Sequence, residues 1–232
     1  MKLNAEQVER IYAFTRQHYV EYYDLQTELV DHLANAIEEQ WEQNPKLSFE
    51  AALKIEFKKF GVFGFMEVVE KRQAALNKKY SKLVVNELKN FFSIPKIIGT
   101  ISAIGIVYYL LKSSQEDFEI IQPLFIVLIV LFMIGLGVIS RKNKKKNLQT
   151  EKKWLLKEII FGYSTLAGSI NIPIQLVLHL YGKHFHELTL VLFSFLLVLL
   201  SLTIYIVLVL IPSQAEDYLK ATYPEYELLQ KL

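Results

Sequence analysis

A carboxylate and an imidazole one helical turn apart are the residues best suited to chemistry in the first half of the chain. Glu28 and His32 have i, i+4 spacing, and Asp31 lies three residues after Glu28. Such a group could contribute to a divalent-metal site, or the two acids could tune His32 as a pH sensor. A metal needs further ligands that one helix does not supply. We therefore favour solvent-facing acids beside a histidine at the edge of the core, and we predict a partner-binding or pH-sensing role for the three residues.

A second group of histidines lies between two apolar stretches. His179, His184 and His186 could together hold zinc or copper on the outer face of a membrane. Their spacing matches no zinc signature, and a short loop between two membrane spans must contain polar residues whatever its role. We therefore predict neither a metal nor a cofactor, and keep these histidines as the one alternative.

Polar residues also recur along an apolar stretch at about residues 159–178. They occur at three- to four-residue steps, which places them on one face of a helix. In a bilayer such groups need partners, either on a facing helix or in an aqueous pathway. We favour helix packing and keep a solute pathway as the alternative. The residues are Ser164, Gly168, Asn171, Gln175 and His179.

Several catalytic chemistries are excluded by what the sequence lacks. There is no cysteine, which removes disulfides, Fe–S clusters, thiolate zinc sites and thiol nucleophiles together. There is also no phosphate-binding loop, no G-x-S-x-G and no H-E-x-x-H motif. The acidic residues lie outside the apolar stretches, so no acid pair could act within a membrane. We predict that the protein is not an enzyme.

The elements that hold these residues are predicted to be helices, many of them in a membrane. Hydrophobic residues make up 52% of the 232-residue chain. They concentrate in four stretches, each close to the roughly 20 residues that cross a bilayer as a helix. We predict an all-α protein with a cytoplasmic helical bundle followed by a four-helix transmembrane region. The predicted spans are about residues 94–111, 120–139, 159–178 and 188–211.

Charge orients these spans. Residues 141–157 carry a net charge of +7, whereas the two flanking connections are neutral or acidic. Because Lys and Arg are retained on the cytoplasmic side, we predict that this loop and both termini are cytoplasmic, in a bacterial inner membrane. The basic loop is predicted to contact lipid headgroups. Its residues are Arg141, Lys142, Lys144, Lys145, Lys146, Lys152 and Lys153.

The part before the first span divides by charge. Residues 1–70 carry a net charge of −6 and are predicted to form an acidic head, whereas residues 71–93 form a basic stalk. Residues 94–211 form the membrane domain, and residues 212–232 a cytoplasmic amphipathic tail. The tail is predicted to lie on the membrane surface or to pack on the head, with a break at Pro224.

Capping residues and helix breakers predict where the helices of the head begin and end. Asn4 and Gln7 predict a capping box, Asp24 the N-cap of a second helix and Ser48 the N-cap of a third that ends near Gly61. A fourth helix is predicted to start near residue 64 and to continue without a break to Pro95. In the second helix, apolar residues recur at four-residue steps and predict its buried face. They are Leu25, Leu29, Leu33, Ile37 and Trp41.

One stretch of the head resembles a known family. The sequence YYDLQTELVDHL at residues 22–33, followed by Ile37 and Glu38, is similar to the amino-terminal helical domains of HAAS or permease-prefix type in small bacterial membrane proteins, especially those of the Bacteroidota. The resemblance covers about residues 1–90. It implies a signalling or regulatory module whose partner is a PadR-type transcriptional regulator or a permease component. It implies no catalytic residue.

Together these features predict a non-enzymatic regulatory or interaction protein. The cytoplasmic head would bind a protein partner, and the four spans would anchor the head or sense the bilayer. The alternative is a transporter accessory subunit or a small channel that uses the polar face of the third span. The expected partners are membrane lipids and a cytoplasmic protein, without nucleic acid, and self-association is left open.

Overall fold

The structure is a computed structural model that describes residues 2–113, 121–147, 152–162 and 186–223 together with Tyr226. Within these ranges the regular structure is entirely helical and contains no strand, which confirms the predicted all-α class. The helices are α1 Ala5–Gln17, α2 Tyr23–Gln43, α3 Phe49–Lys58, α4 Met66–Asn90, α5 Lys96–Ser113, α6 Ile121–Asn147, α7 Leu155–Phe161, α8 Glu187–Tyr205 and α9 Ala215–Thr222. Between α8 and α9 the chain makes a π-helical turn, Ile206–Leu210, and a short helical turn, Ile211–Ser213.

The chain forms two compact units, and neither is continuous in sequence. The first unit consists of Met1–Asn77 and Asn147–Glu158, and the second of Lys78–Lys146 and Ile159–Leu232. Helices α4 and α7 therefore each contribute residues to both units. The predicted boundaries of the head and stalk, at residues 70 and 93, stay predictions.

The core of the first unit is built on the predicted face of α2. All five residues at the four-residue steps, from Leu25 to Trp41, are buried. The Trp41 indole N–H donates a hydrogen bond of 2.8 Å to the carbonyl of Leu47, which fixes the turn that follows α2. The buried face of this helix was thus predicted correctly from its periodicity.

Two predicted caps of the head are confirmed and one is wrong. Asn4 and Gln7 form a capping box, and the Ser48 hydroxyl accepts a hydrogen bond from the Ala51 N–H. Helix α2, however, begins at Tyr23 with Tyr22 as its N-cap, so Asp24 lies inside the first turn. Asp24 is buried, and its carboxylate serves another helix, as described below.

The stalk helix is shorter than predicted. Helix α4 ends at Asn90, whereas the sequence predicted that it would continue to Pro95. The N–H groups of Phe91, Phe92 and Ser93 donate to carbonyls three residues back, so the last turn tightens before the proline. A proline disfavours the helical conformation at the residue before it, here Ile94, so the helix could not have extended to Pro95 in any case.

Aromatic rings fill one end of the first unit. The rings of Phe14 and Phe57 are 5.1 Å apart between centroids, and those of Phe57 and Phe65 are 5.0 Å apart. The His18 ring packs on Phe57 at 4.3 Å, while its Nδ1 is 2.8 Å from the carbonyl oxygen of Phe14. Most of these pairs meet edge to face, the arrangement that aromatic rings prefer. These rings form a packed aromatic cluster at this end of the first unit.

Among its described residues, the second unit contains three helices that are long and apolar enough to cross a membrane. They are Lys96–Ser113, Ile126–Lys145 and Glu187–Ser213. The predicted span at residues 159–178 lies, from residue 163 onward, outside the described residues. Helices α5 and α8 pack through a core that includes Leu111, Leu190, Phe193 and Leu197. At one end of this pair, Lys112 Nζ is 2.7 Å from a carboxylate oxygen of Glu187.

Two glycines in the long apolar helices differ in how closely other atoms approach them. A Cβ atom on Gly135 of α6 would lie 2.5 Å from Leu208 Cδ1, whereas one on Gly99 of α5 would meet no atom within 4 Å. Glycines in apolar helices are suited to close helix packing. The structure places close packing at Gly135, where α6 meets the π-helical turn.

Gly135→Leu is expected to lower the stability of the detergent-solubilised protein by about 1–3 kcal/mol, because the new side chain must displace Leu208 from a packed contact. Gly99→Leu is the matched control, since its side chain would enter open space. Thermal melting followed by helical circular dichroism measures the difference. Equal melting temperatures for the two variants would contradict the predicted packing of α6.

The tail forms a helix within the second unit. Ala215, Leu219 and Tyr223 are buried, and the Lys79 ammonium donates a hydrogen bond of 2.9 Å to the Thr222 hydroxyl. A side-chain hydrogen bond therefore links α9 to the part of α4 that belongs to the same unit. Pro224, where a break was predicted, lies outside the described residues.

Candidate interaction site on the helical head

A segment from far along the chain is built into the head. Helix α2 has no side-chain cap, yet the N–H of its first residue, Tyr23, donates a hydrogen bond of 2.7 Å to the carbonyl of Lys153. In return, Asp24 Oδ1 accepts a hydrogen bond of 3.1 Å from the N–H of Leu155, the first residue of α7. Helix N-termini leave such donors unsatisfied, so Asp24 of α2 supplies the partner for α7, and Lys153, just before α7, supplies the partner for α2. We call this four-residue arrangement the reciprocal cap.

Buried apolar side chains lie next to the hydrogen bonds of the reciprocal cap. Trp154, Leu155 and Leu156 are buried, with Leu156 fully excluded from solvent. The Trp154 ring meets the Tyr23 ring edge to face at 5.5 Å. Burying three large apolar side chains provides the main driving force for holding this segment on the head, because each contributes on the order of 1.5–3 kcal/mol.

Charged groups surround the same contact. Lys153 Nζ is 3.0 Å from Glu21 Oε2, and Lys152 Nζ lies over the Tyr23 ring, 4.2 Å from its centroid. Both side chains of the Lys153–Glu21 pair are at least half exposed, so the pair orients the segment more than it stabilises it. These two lysines, predicted to contact lipid headgroups, have protein partners in the head.

Two tyrosines of this site, Tyr12 and Tyr22, have raised pKa values. Burial raises the pKa of Tyr22, and the neighbouring carboxylates of Glu158, Glu21 and Asp24 raise it further. Burial also raises the pKa of Tyr12, although a hydrogen bond with Thr27 offsets part of this effect. Both phenols therefore remain hydrogen-bond donors throughout the physiological pH range.

An open cleft of about 780 Å³ lies between α1, the turn that follows it and residues 152–153. Its lining combines cations, carboxylates and tyrosines, so it suits a polar group of mixed charge rather than an apolar ligand. The described residues of its lining include no serine, cysteine or histidine. The lining residues are Glu9, Tyr12, Arg16, Val20, Glu21, Tyr23, Gln26, Lys152 and Lys153.

The predicted group on α2 lies on the exposed face of this helix. Glu28, Asp31 and His32 are all exposed. Glu28 Oε2 is 3.8 Å from the Nε of Arg72, and the His32 ring meets Phe60 edge to face at 6.0 Å. Among the residues that the structure describes, no three histidines or acids come together as a metal site. The three residues are therefore placed as a surface patch at the edge of the core.

The acidic patch continues along α2. Glu39 and Glu42 are exposed and follow Asp31 at helical spacing. Within the described part of the chain, Asp31, Glu39 and Glu42 have no ion-pair partner, and Glu28 has only the distant Arg72. Helix α2 thus buries one face in the core and presents an acidic face, which we define as Glu28, Asp31, Glu39 and Glu42.

The basic segment at residues 141–157 was predicted to be a loop, but its first part, up to Asn147, is helical. Helix α6 continues to Asn147, and Arg141, Lys142, Lys144 and Lys145 are exposed in its last turns. Cations at this position favourably oppose the negative end of the helix dipole. Lys146 belongs to the same helix. Contact of these residues with lipid headgroups stays a prediction.

Other predicted residues fall outside the described ranges. The polar face of the third span, formed by Ser164, Gly168, Asn171, Gln175 and His179, lies there, as does His184. His186 is described, and it is the exposed N-cap residue of α8 without a side-chain hydrogen bond to the helix. The metal alternative and the pathway alternative therefore both stay predictions.

Sequence reasoning missed the reciprocal cap. Asp24 was assigned to its own helix, and residues 154–156 were passed over as part of a basic loop. One signal was available, because Trp154, Leu155 and Leu156 form an apolar triplet between Lys153 and Lys157. Such a triplet in a polar connection indicates a buried contact.

The described residues thus define an all-helical protein with helices able to cross a membrane and a discontinuous helical head. Comparisons with protein-family models, with curated proteins and with solved structures found no match.

Proposed function

We propose that the chain is a non-enzymatic regulatory or interaction protein of the bacterial inner membrane with four spans. Three helices of suitable length and composition support this, and the apolar stretch at residues 159–178 supplies the fourth span. An even number of spans keeps the head and the tail on one side. The basic residues between the second and third stretches support a cytoplasmic location for that side.

The acidic face of α2 is the proposed partner-binding surface. The observation that carries the proposal is that four carboxylates lie along one exposed helix face whose opposite side is fixed in the core. Such a surface selects a partner with a basic complementary patch and speeds its association. By resemblance to HAAS-type domains, the partner is proposed to be a PadR-type regulator or a permease component.

The reciprocal cap offers a way for the head to affect the membrane part. The segment 152–158 belongs to the head although, in sequence, it connects the second and third apolar stretches. A partner that binds α2 more tightly when the segment is docked would shift the docking equilibrium toward the docked state. We propose that the head regulates the connection between these spans in this manner.

The test is affinity capture from mild-detergent extracts with full-length variants. Replacing Asp31, Glu39 and Glu42 by lysine reverses most of the acidic face without disturbing a buried group. The expected result is loss of a specifically captured protein. Deleting residues 1–70 would be a poorer test, because it would uncover the apolar triplet at residues 154–156 and create an artificial binding surface.

A matched control carries the same change in charge at another place. Replacing the exposed Glu6, Glu70 and Glu216 by lysine alters the net charge equally but leaves the acidic face of α2 and the open cleft intact. This control is expected to retain the captured protein. If the two variants capture the same set of proteins as the unmodified chain, the acidic face is not the partner surface.

A further inference from the structure

The turn between α3 and α4 exposes apolar residues where polar ones are usual. In the segment Gly61-Val62-Phe63-Gly64, the Gly64 N–H donates to the carbonyl of Gly61 at 3.4 Å, which closes a four-residue turn. Val62 and Phe63 occupy its two central positions and are 97% and 73% exposed. Central turn positions favour Gly, Pro, Asn, Asp and Ser, so two large apolar side chains here are unexpected.

The turn is held rigidly in this exposed form. Gly61 and Gly64 have φ angles of +76° and +54°, which residues with a Cβ atom rarely adopt. A Cβ atom on Gly64 would lie 2.9 Å from Phe57 Cζ, so the backbone rests directly on the aromatic cluster of the first unit. The base under Val62 and Phe63 is therefore packed, and the two side chains cannot fold back into it.

Further exposed apolar residues lie at the same end of the head. Met66, the first residue of α4, is 52% exposed. Tyr19 is also exposed, and it follows His18, whose ring packs on Phe57. We define the apolar tip as Tyr19, Val62, Phe63 and Met66.

The apolar tip adjoins the most basic part of an acidic head. Residues 1–70 carry 13 acidic and 7 basic residues, yet Lys54, Lys58 and Lys59 lie within six positions of one another just before the turn. All three are exposed, and the one acid among them, Glu56, is buried and pairs with Lys59 at 2.7 Å. Lys54 and Lys58 have no ion-pair partner among the described residues.

Exposed aromatic and apolar side chains beside unpaired lysines suit the interface of an anionic bilayer. Phe and Tyr rings partition into the boundary between headgroups and acyl chains, and lysines beside them bind anionic headgroups while their stems lie along apolar surface. A basic protein partner, as proposed for the acidic face of α2, would be repelled by these lysines. Charge complementarity therefore favours an anionic bilayer as the occupant of the tip.

We propose that the apolar tip inserts into the interface of an anionic membrane, with Lys54 and Lys58 on the headgroups. Two or three apolar side chains alone bind a bilayer weakly. A head tethered to a membrane-spanning chain meets the bilayer at a high effective concentration, so weak insertion suffices. The inference rests on the proposed membrane location but not on the proposed protein partner.

The absence of cysteine makes a direct test simple. Val62→Cys introduces one labelling site into the full-length chain, at a side chain that contacts almost nothing. The protein carries an environment-sensitive fluorophore there and is placed, one chain per disc, in nanodiscs of equal parts phosphatidylcholine and phosphatidylglycerol. Glu42→Cys, exposed on α2, is the matched control site.

We expect the label at residue 62 to emit at shorter wavelength and to be quenched severalfold more than the label at residue 42 by lipids that carry a quencher in the upper acyl chain. Replacing Lys54 and Lys58 by glutamine should reduce the ratio of inserted to free tip by about tenfold or more, since each lysine near an anionic surface is worth about fivefold. This pair leaves the contact between Lys59 and Glu56 intact.

Two results would overturn the proposal. Equal lipid quenching at residues 62 and 42 would show that the tip stays in water. A shorter emission wavelength at residue 62 without lipid quenching, appearing only when chains are concentrated or extract is added, would show that the tip meets a protein. Trp41 and Trp154 both lie in the first unit, so unchanged tryptophan emission establishes that each variant is folded. Loss of the captured partner in the α2 variants would leave these results unaffected.

Discussion

Leu156→Ala is expected to destabilise the head by about 2–5 kcal/mol, because it removes a fully buried side chain and leaves a cavity. This loss is comparable to the whole stability of many small domains, so the segment 152–158 should leave the head in a large fraction of molecules. Intrinsic fluorescence measures the change directly. Trp154 lies two residues before the substitution and is buried, so its emission should move to longer wavelength at a lower denaturant concentration.

The control for this prediction lies three residues away. Lys153→Ala removes a half-exposed lysine that pairs with Glu21, and such surface pairs contribute about 0–1 kcal/mol. It should leave the denaturation midpoint nearly unchanged. If both variants shift the midpoint equally, the apolar triplet is not what holds the segment on the head.

Asp24→Ala is the second substitution with a large expected effect. The carboxylate of Asp24 is buried and accepts the hydrogen bond from the Leu155 N–H. Hydrogen bonds to charged groups contribute about 1.5–3 kcal/mol, and the abandoned N–H would remain buried without a partner. We expect a loss of stability of about this size, measured by chemical denaturation of the full-length protein.

Two further variants separate this hydrogen bond from a general effect of charge on α2. Asp24→Asn keeps an acceptor in the same place and should recover part of the lost stability. Asp31→Ala removes an exposed carboxylate from the same helix and should change stability by no more than about 0.5 kcal/mol. A loss in Asp31→Ala as large as that in Asp24→Ala would argue against a special role of the reciprocal cap.

The helices of the head could be predicted from the sequence because their signals are local. The capping box of Asn4 and Gln7, the cap at Ser48 and the periodicity of α2 each depend on residues within a few turns of one another. A helix buries whichever face is apolar, whatever the rest of the chain does. For the same reason three of the predicted apolar stretches lie close to the three described helices that are long and apolar enough to cross a membrane.

The errors in the fold arose where a distant residue decides the structure. Asp24 is a good N-cap by type, but its carboxylate is used by the Leu155 N–H, 131 residues away in sequence. No local rule relates these two positions. Helix α4 ends earlier than the proline alone predicts, because the turn at residues 91–93 already ends the helix.

The residues of the candidate site also fall into two groups, those that could be predicted from the sequence and those that could not. Glu28, Asp31 and His32 could be singled out from their spacing, and the structure places them on one exposed face. The apolar tip could not be found from composition, because Val62 and Phe63 are ordinary core residues by type. Only the two glycines with positive φ angles show that the chain turns these side chains outward.

The discontinuous head also has a consequence for biosynthesis. The ribosome makes residues 1–77 early, but the partner of Asp24 and the apolar triplet arrive only with residues 153–156. By then the helices Lys96–Ser113 and Ile126–Lys145 have already been made. The head therefore cannot complete its core until these two long apolar helices have left the ribosome, so its final folding step follows their synthesis. Until that point, an incomplete head carries an open docking site that a chaperone or a second nascent chain could occupy.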